Sequence, residues 1–332
     1  MKMNRRAFLS LLGGAAATLP LAARAQQPEQ MRRVGVLMGY AEIDPAAQAQ
    51  VAALRQELRK LGWEEGRNIR IDVRFPAANA DRVRAILMEL MSLRPDVLIS
   101  NSNLVTAVVH AEVRTIPVIF TFVGDAVGSG FVSNDARPNG NLTGFANWDS
   151  PAMSGKWLEL LKEVAPEVER VGLMVHPETA ASIGFFKFAE GLAPTLKVKL
   201  VALGVHDASE IERTLTAFAA EGNGGLIVTP HAVTFTNRDL IVALAARLRL
   251  PALYPLAFYA KAGGLVSYGI DVPSQFQQGA GYVDRILRGT KPADLPVQYP
   301  TKFQLIVNLK TAKTLGLAIP ESFLLRADEV IE

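Results

Sequence analysis

Cysteine is absent from the 332 residues of this chain. No disulfide framework, thiol nucleophile or cysteine-ligated metal is therefore available, and stability has to come from buried apolar surface. The same absence excludes a thioether-linked lipid, so no covalent membrane anchor is expected. Histidine is scarce too. The four are His110, His176, His206 and His231, and no two stand at the i, i+4 spacing of a helical zinc site. On this ground neither a metal nor a cofactor is expected. The first β-rich run continues Met38-Gly39-Tyr40-Ala41 and lacks the Gly-x-Gly-x-x-Gly turn of a dinucleotide site. No Gly-x-x-x-x-Gly-Lys-Ser/Thr loop occurs, and Gly128-Ser129-Gly130 lacks the spacing of a Gly-x-Ser-x-Gly elbow. These absences remove the usual supports of catalysis, and an enzyme is not expected.

What is present begins with a three-part N-terminus: a basic start with Arg5-Arg6 before Phe8-Leu9, a mild apolar run over residues 7–23, and a small-x-small end at Ala23-Arg24-Ala25. That is the pattern of a secretory signal cleaved after Ala25. The arginine pair and the Gly- and Ala-diluted run fit twin-arginine export of an already folded chain. An uncleaved anchor is the alternative, but the run is short of the ~20 apolar residues a membrane span needs and Pro20 interrupts it. No later apolar stretch is long enough to span. Periplasmic localisation follows as an expectation. Lys2, Arg5, Arg6 and Arg24 lie in this leader with no acidic residue, so processing turns the net charge of +3 slightly negative. No dense Lys/Arg run remains, and nucleic acid is excluded as an expected partner.

The rest alternates short β-rich runs with amphipathic helical segments, the pattern of parallel sheets covered on both faces. Strands are predicted to start near residues 34, 69, 97 and 117, then near 171, 198, 226 and 252, with Leu265–Tyr268 and Phe303–Asn308 after them. Between 123 and 150 the periodicity lapses into a loop rich in Gly, Asn, Asp and Ser, crossed by a brief Leu142-Thr-Gly-Phe145 run. Asp44-Pro45 reads as an N-cap and N1 proline, and Ser209-x-x-Glu212 as a capping box. The fold class predicted is α/β: two doubly wound, Rossmann-like parallel-sheet lobes joined by a multi-strand hinge. Residues 31–144 plus 272–332 are assigned to the first lobe and 145–271 to the second.

Open α/β sheets bind ligands just beyond the C-terminal ends of their strands. The polar and aromatic residues at those places are Tyr40, Asn101-Ser102-Asn103, Phe122, Gly124-Asp125, His176, Pro230-His231, Tyr254 and Asp271, with Trp148 near the first crossover. Each has a structural alternative. Asn and Ser after a strand are ordinary N-caps, Asp125 can organise its own loop, a single His is more often structural, Trp148 can pack the hinge, and Asp271 can cap the helix that starts near Ser274.

From Thr115 onward the chain also resembles, over nearly its whole length, the substrate-binding proteins of a class of ABC importers. The resemblance rests on Thr115-Ile-Pro-Val-Ile-Phe120 running into Val123-Gly-Asp125, on Ala136-Arg-Pro-Asn-Gly-Asn-Leu-Thr-Gly144, on Gly263-Gly-Leu-Val-Ser-Tyr-Gly269, and above all on Gly281-Tyr-Val-Asp-Arg-Ile-Leu-Arg-Gly289 with Asn308-Leu-Lys-Thr-Ala-Lys313. It implies a type I periplasmic-binding fold and capture of a small-molecule ligand, an apolar or aromatic amino acid in the first instance. Delivery would be to an ABC permease with its ATPase subunit. The ligand loops carried over are Asn101-Ser102, Gly124-Asp125 and Asp271. Ala126 and His176 depart from the Pro and Asn that members commonly carry. An ammonium could meet Asp271 and Asp125 and a carboxylate the donors around Ser102. A sugar ligand, and more remotely an exported hydrolase or lyase on the same fold, are the alternatives.

Overall fold

The computed structural model describes residues 31–76, 79–147 and 152–332. The leader, Trp148 and the helix start expected at Ser150-Pro151 lie outside them. In the first lobe β1 (Arg32–Leu37) leads into α1 (Pro45–Lys60), whose cap is Asp44 accepting from the Ala46 N–H at 2.8 Å ahead of the N1 proline. Then come β2 (Ile69–Arg74), α2 (Ala80–Ser92), β3 (Val97–Asn101), α3 (Asn103–Glu112), β4 (Val118–Val123) and β5 (Leu142–Ala146). The strands pair in the order β2-β1-β3-β4-β5, all parallel. Every residue of β3, β4 and β5 is buried, as expected for strands covered on both faces.

The second lobe runs α4 (Ala152–Val164), β6 (Arg170–Val175), α5 (Ala180–Leu192), β7 (Lys199–Gly204), α6 (Ala208–Ala220), β8 (Gly224–Val228), α7 (Ala232–Thr236), α8 (Arg238–Arg247), β9 (Ala252–Tyr254), α9 (Ala257–Lys261) and β10 (Val266–Ile270). Helix α6 starts two residues earlier than the Ser209 box implies: Asp207 is the cap and accepts from the Glu210 N–H at 2.9 Å. Asp207-x-x-Glu210 matches the same pattern, and Glu210 in turn accepts from the His206 backbone N–H.

Helix α10 (Val272–Leu287) then packs against α1, burying Phe276, Ala280 and Val283 beside Val51, Leu54 and Leu58. The return segment lies along β5, where Gln298 donates to the Gly144 carbonyl and accepts from the Ala146 N–H, both at 2.9 Å. From there the chain crosses once more. Strand β11 (Phe303–Asn308) pairs antiparallel with β10, and α11 (Leu309–Leu315), α12 (Glu321–Leu324) and β12 (Glu329–Ile331) complete a second sheet ordered β12-β11-β10-β9-β8-β6-β7. The assignment of 303–332 to the first lobe is therefore corrected. The edge of β5 is already taken by Gln298, whereas β10 offers an open edge, and Leu305, Val307 and Phe323 fill the second-lobe core with Leu253 and Val266.

Gly144 shows how tightly the hinge is packed. A Cβ there would stand 2.1 Å from the Phe120 carbonyl oxygen of the neighbouring strand. Gly144→Ala should destabilise the protein by at least ~2 kcal/mol through this backbone clash, whereas Gly140→Ala, with open space around it, should leave the melt nearly unchanged. Urea unfolding of both variants checks the contrast.

Candidate functional site

The two sheets place the C-terminal ends of β4 and β5 opposite those of β8, β9 and β10. Between them lies a cleft whose cavity, about 30 Å³, has room for little more than a water molecule as the lobes stand, so a ligand enters only when they part. Its wall is largely apolar. Phe122 comes from the first lobe, Trp157 and Met153 from α4, Phe185 from α5, and Pro230, Pro255, Leu256, Gly269 and Ile270 from the strand ends. The Trp157 and Phe185 rings are tilted at 5.3 Å, and the indole N–H donates to the Tyr268 carbonyl at 2.8 Å, which fixes the ring. The polar member is Asn147. Its Oδ1 is buried without a hydrogen-bond partner among the described residues, an acceptor left open at the cavity wall. No ionisable side chain lines this wall among the described residues, so an acid–base pair has no place in it.

Among the described residues, Phe122 and Pro230 are the ones from the sequence reading that line the cavity, and Phe122 is the more telling. Its backbone is left-handed at φ 55°, costly for a bulky residue. Gln275 of α10 holds it there, accepting from the Phe122 N–H at 2.9 Å while donating to the Ala146 carbonyl at 3.1 Å. Asn101 is buried and spent internally, accepting from the Gly39 N–H and donating to Thr121. Ser102 caps α3 at φ 82° without a side-chain capping bond. Gly124 has both backbone groups clamped by Asn103 at 2.8 Å. Asp125 is exposed and closes its own loop on the Gly128 N–H. Asp271 stands one residue past Ile270. It caps α10 through the Ser274 N–H and pairs with Lys302 at 2.8 Å, which raises the lysine pKa. Tyr254 points into the second-lobe core, stacked on Tyr259 at 5.0 Å and packed on Gly264, so it is not a cleft residue.

The histidines of the second lobe gather beside the cavity rather than in its wall. His176 stacks on His231 at 4.2 Å and meets His206 edge-on at 5.1 Å. Thr179 Oγ1 bridges His176 Nδ1 and His231 Nε2 at 3.2 and 3.3 Å. His231 caps α7, its Nδ1 accepting from the Val233 N–H. Burial, with the nearby His176 second, pushes its pKa down to about 4, so the ring is neutral and structural. His206 is shifted the other way, chiefly by its hydrogen bond to Glu210.

Sequence reading missed Asn147, Met153, Trp157 and Phe185. Asn147 carried a usable signal, since it directly follows β5. The other three occupy helical positions where apolar residues read as core.

The family model described as ABC transporter substrate binding protein matches residues 41–331. The chain belongs to that family. Its members bind small ligands and deliver them to ABC permeases, and are solute-binding proteins rather than enzymes. A curated protein of Clostridioides difficile, named as a tyrosine-binding protein, is 21% identical over 291 residues, 87% of this chain and 82% of its own length. A conserved domain protein of Vibrio cholerae matches with a TM-score of 0.80 and 26% identity, covering 91% of this chain and 100% of that one. An ABC domain from Streptococcus pneumoniae, solved in complex with L-Trp, has the same TM-score of 0.80 at 22% identity, over 91% and 100% of the two chains. The lobes are type I periplasmic-binding lobes.

In this substrate-binding protein the lobes touch across the cleft. Arg238, at the start of α8, reaches Asp44 at the start of α1 with an N–O distance of 2.6 Å, and both side chains are largely buried. The guanidinium also lies over the Phe258 ring at 5.2 Å. Tyr40 sits near this contact rather than in the cavity wall, its phenol pKa raised by burial. Phe122 meets Phe235 at 5.8 Å nearby. A short, shielded ion pair between two hinged bodies acts as a latch. Arg238→Gln, which leaves Asp44 without its partner at a cost of about 1–3 kcal/mol, should shift the protein towards an open form. Small-angle X-ray scattering should then show a larger radius of gyration, and an unchanged profile would contradict the latch.

Proposed function

We propose that this protein captures an apolar or aromatic amino acid between its lobes and presents it to a membrane permease powered by an ATPase subunit. The observation that carries the reading is the character of the cleft wall, the rings of Trp157, Phe185 and Phe122 with, among the described residues, the unsatisfied acceptor of Asn147 beside them. An aromatic side chain buries well against such a wall, and an ammonium or phenol supplies the proton that Asn147 Oδ1 lacks. Asp271 adds negative charge nearby. Its carboxylate has about four lone-pair sites, and Ser274 and Lys302 take up two of them. Ser102, whose hydroxyl makes no capping bond, and the N-terminus of α3 lie outside the cavity wall on the first-lobe rim, and would suit a carboxylate only of a ligand that reaches beyond that wall. The tyrosine-binding and L-Trp-bound relatives point to the same ligand class. A neutral sugar would want many more polar partners than this wall has, and hydrolysis or elimination would want an acid–base pair.

Closure follows the same logic. A ligand held by both lobes adds contacts that exist only when the cleft is shut, so binding favours the latched form. We further propose export through the Arg5-Arg6 leader with cleavage near Ala25, periplasmic residence, and no covalent anchor.

At 100-fold excess over Kd the right amino acid should stabilise the fold by about 2.7 kcal/mol, a melting shift of a few degrees. The screen compares L-Trp, L-Tyr, L-Phe and L-Leu with neutral sugars, and a shift confined to sugars would overturn the ligand class. Asn147→Ala should weaken binding of the best amino acid about tenfold, the loss of one hydrogen bond to a charged group, while the unliganded melt stays put. Titration calorimetry on both proteins measures it.

For export, Arg5→Lys with Arg6→Lys should leave uncleaved precursor in the cytoplasm. Normal processing of that double variant, followed by immunoblotting of cell fractions, would refute the twin-arginine route.

A further inference from the structure

The loops after β6 and β7 bring together a set of side chains that the proposed function does not use. We propose that His176, Glu178 and His206 form a binding site for a divalent transition metal, with zinc as the probe. One potential ligand atom from each of the three lies within 4.8 Å of the others. His206 Nε2 and Glu178 Oε1 are 3.4 Å apart, close to the ~3.4 Å edge of a tetrahedron with metal–ligand bonds near 2.1 Å. The two imidazoles stand edge-on at 76°, so their ring nitrogens can converge without the rings colliding.

The surroundings resemble the outer shell of a metal site. His206 Nδ1 is 2.7 Å from Glu210 Oε2, and the same oxygen accepts from the His206 backbone N–H at 3.0 Å. That carboxylate orients the ring and leaves Nε2 facing Glu178, the arrangement by which a carboxylate commonly supports a ligating histidine. His176 Nδ1 is engaged by Thr179 Oγ1, which leaves Nε2. Two imidazoles and one carboxylate suit zinc and its neighbours far better than magnesium or calcium, which prefer oxygen ligands throughout. Glu178 is 74% and His206 44% exposed at the side chain, so solvent can complete the coordination. The ion would tie the β6–α5 loop to the β7–α6 loop at the rim of the cleft, outside the cavity wall.

The competing reading is a solvated ion pair, with a protonated His206 between two glutamates. Zinc chloride titrated calorimetrically into untagged, chelator-treated protein separates the two. The site requires uptake of one zinc per chain, no uptake of magnesium, at least a tenfold loss of affinity in His206→Gln and in Glu178→Gln, and a loss of about tenfold in Glu210→Gln. Cobalt(II) should give a visible absorption band in the wild type that His206→Gln lacks. Absence of zinc uptake by the wild type would overturn the site, as would uptake that all three variants retain unchanged. Melting curves of the metal-free variants, expected to match the wild type because the groups are exposed, confirm that each is folded.

Discussion

A parallel sheet offers a ligand only the rim beyond its carboxyl-terminal strand ends, so two sheets can share one ligand only where the chain crosses between them beside those rims. Here three crossings meet that condition. The chain leaves β5 beyond Asn147, enters α10 at Asp271, and passes from Gln298 along β5 to Lys302 before β11. They are tied laterally: Gln298 brackets Gly144 and Ala146, and the Asp271 N–H donates to the Lys302 carbonyl at 3.2 Å. Gly144 has no side chain because the Phe120 carbonyl occupies the space one would need. Rotation of one lobe against the other is left as the soft motion, with translation and shear opposed by this bundle of crossings.

The cavity sits against that hinge, which explains its composition. Its floor is made of strand ends and crossing segments whose backbone groups already pair with one another, and its sides are aromatic rings supplied by helices of the second lobe. Polar groups open to the cavity are therefore few among the described residues. Asn147 is the clearest, because it leaves β5 at the first crossing and its buried oxygen has no internal partner. The ion pair of Arg238 with Asp44 lies farther out, where the lobes meet, and is separate from the cavity wall. The cavity wall and the lobe contact thus rest largely on different residues, yet closure and affinity stay linked, because a ligand held by both lobes favours the closed form.

Three positions at the first-lobe rim break a local rule. Ser102, Phe122 and Asp125 all carry positive φ although none is glycine. Strain of this kind persists only where surrounding bonds enforce it, and the enforcement is visible: Gln275 for Phe122 and the Gly128 N–H for Asp125. For Ser102 the backbone N–H is held by the Thr121 carbonyl. The strain gathers where strands β3 and β4 turn towards the cleft.

Periodicity and chain punctuation were enough to place most strands, because an element buried on both faces shows as a short apolar run, as at Val97–Ile99 and Leu226–Val228; β5, whose Leu142–Ala146 run is broken by Thr143 and Gly144, and the short edge strand β12 were not placed. Asp44-Pro45 announced α1 for an equally local reason, a side chain bonding to an N–H two residues on. By itself, then, the sequence determined most of the elements, the α/β class and the two-lobed repeat. Tertiary structure alone decided which open edge took β11, since an apolar strand carries no record of its partner. It also decided that Tyr254 faces the core while Trp157 and Phe185 face the cavity, and that His176 and His206, on loops separated by α5 and β7, stand side by side. Each of those outcomes depends on surfaces distant in the chain meeting in space, and no spacing along the sequence encodes such a meeting.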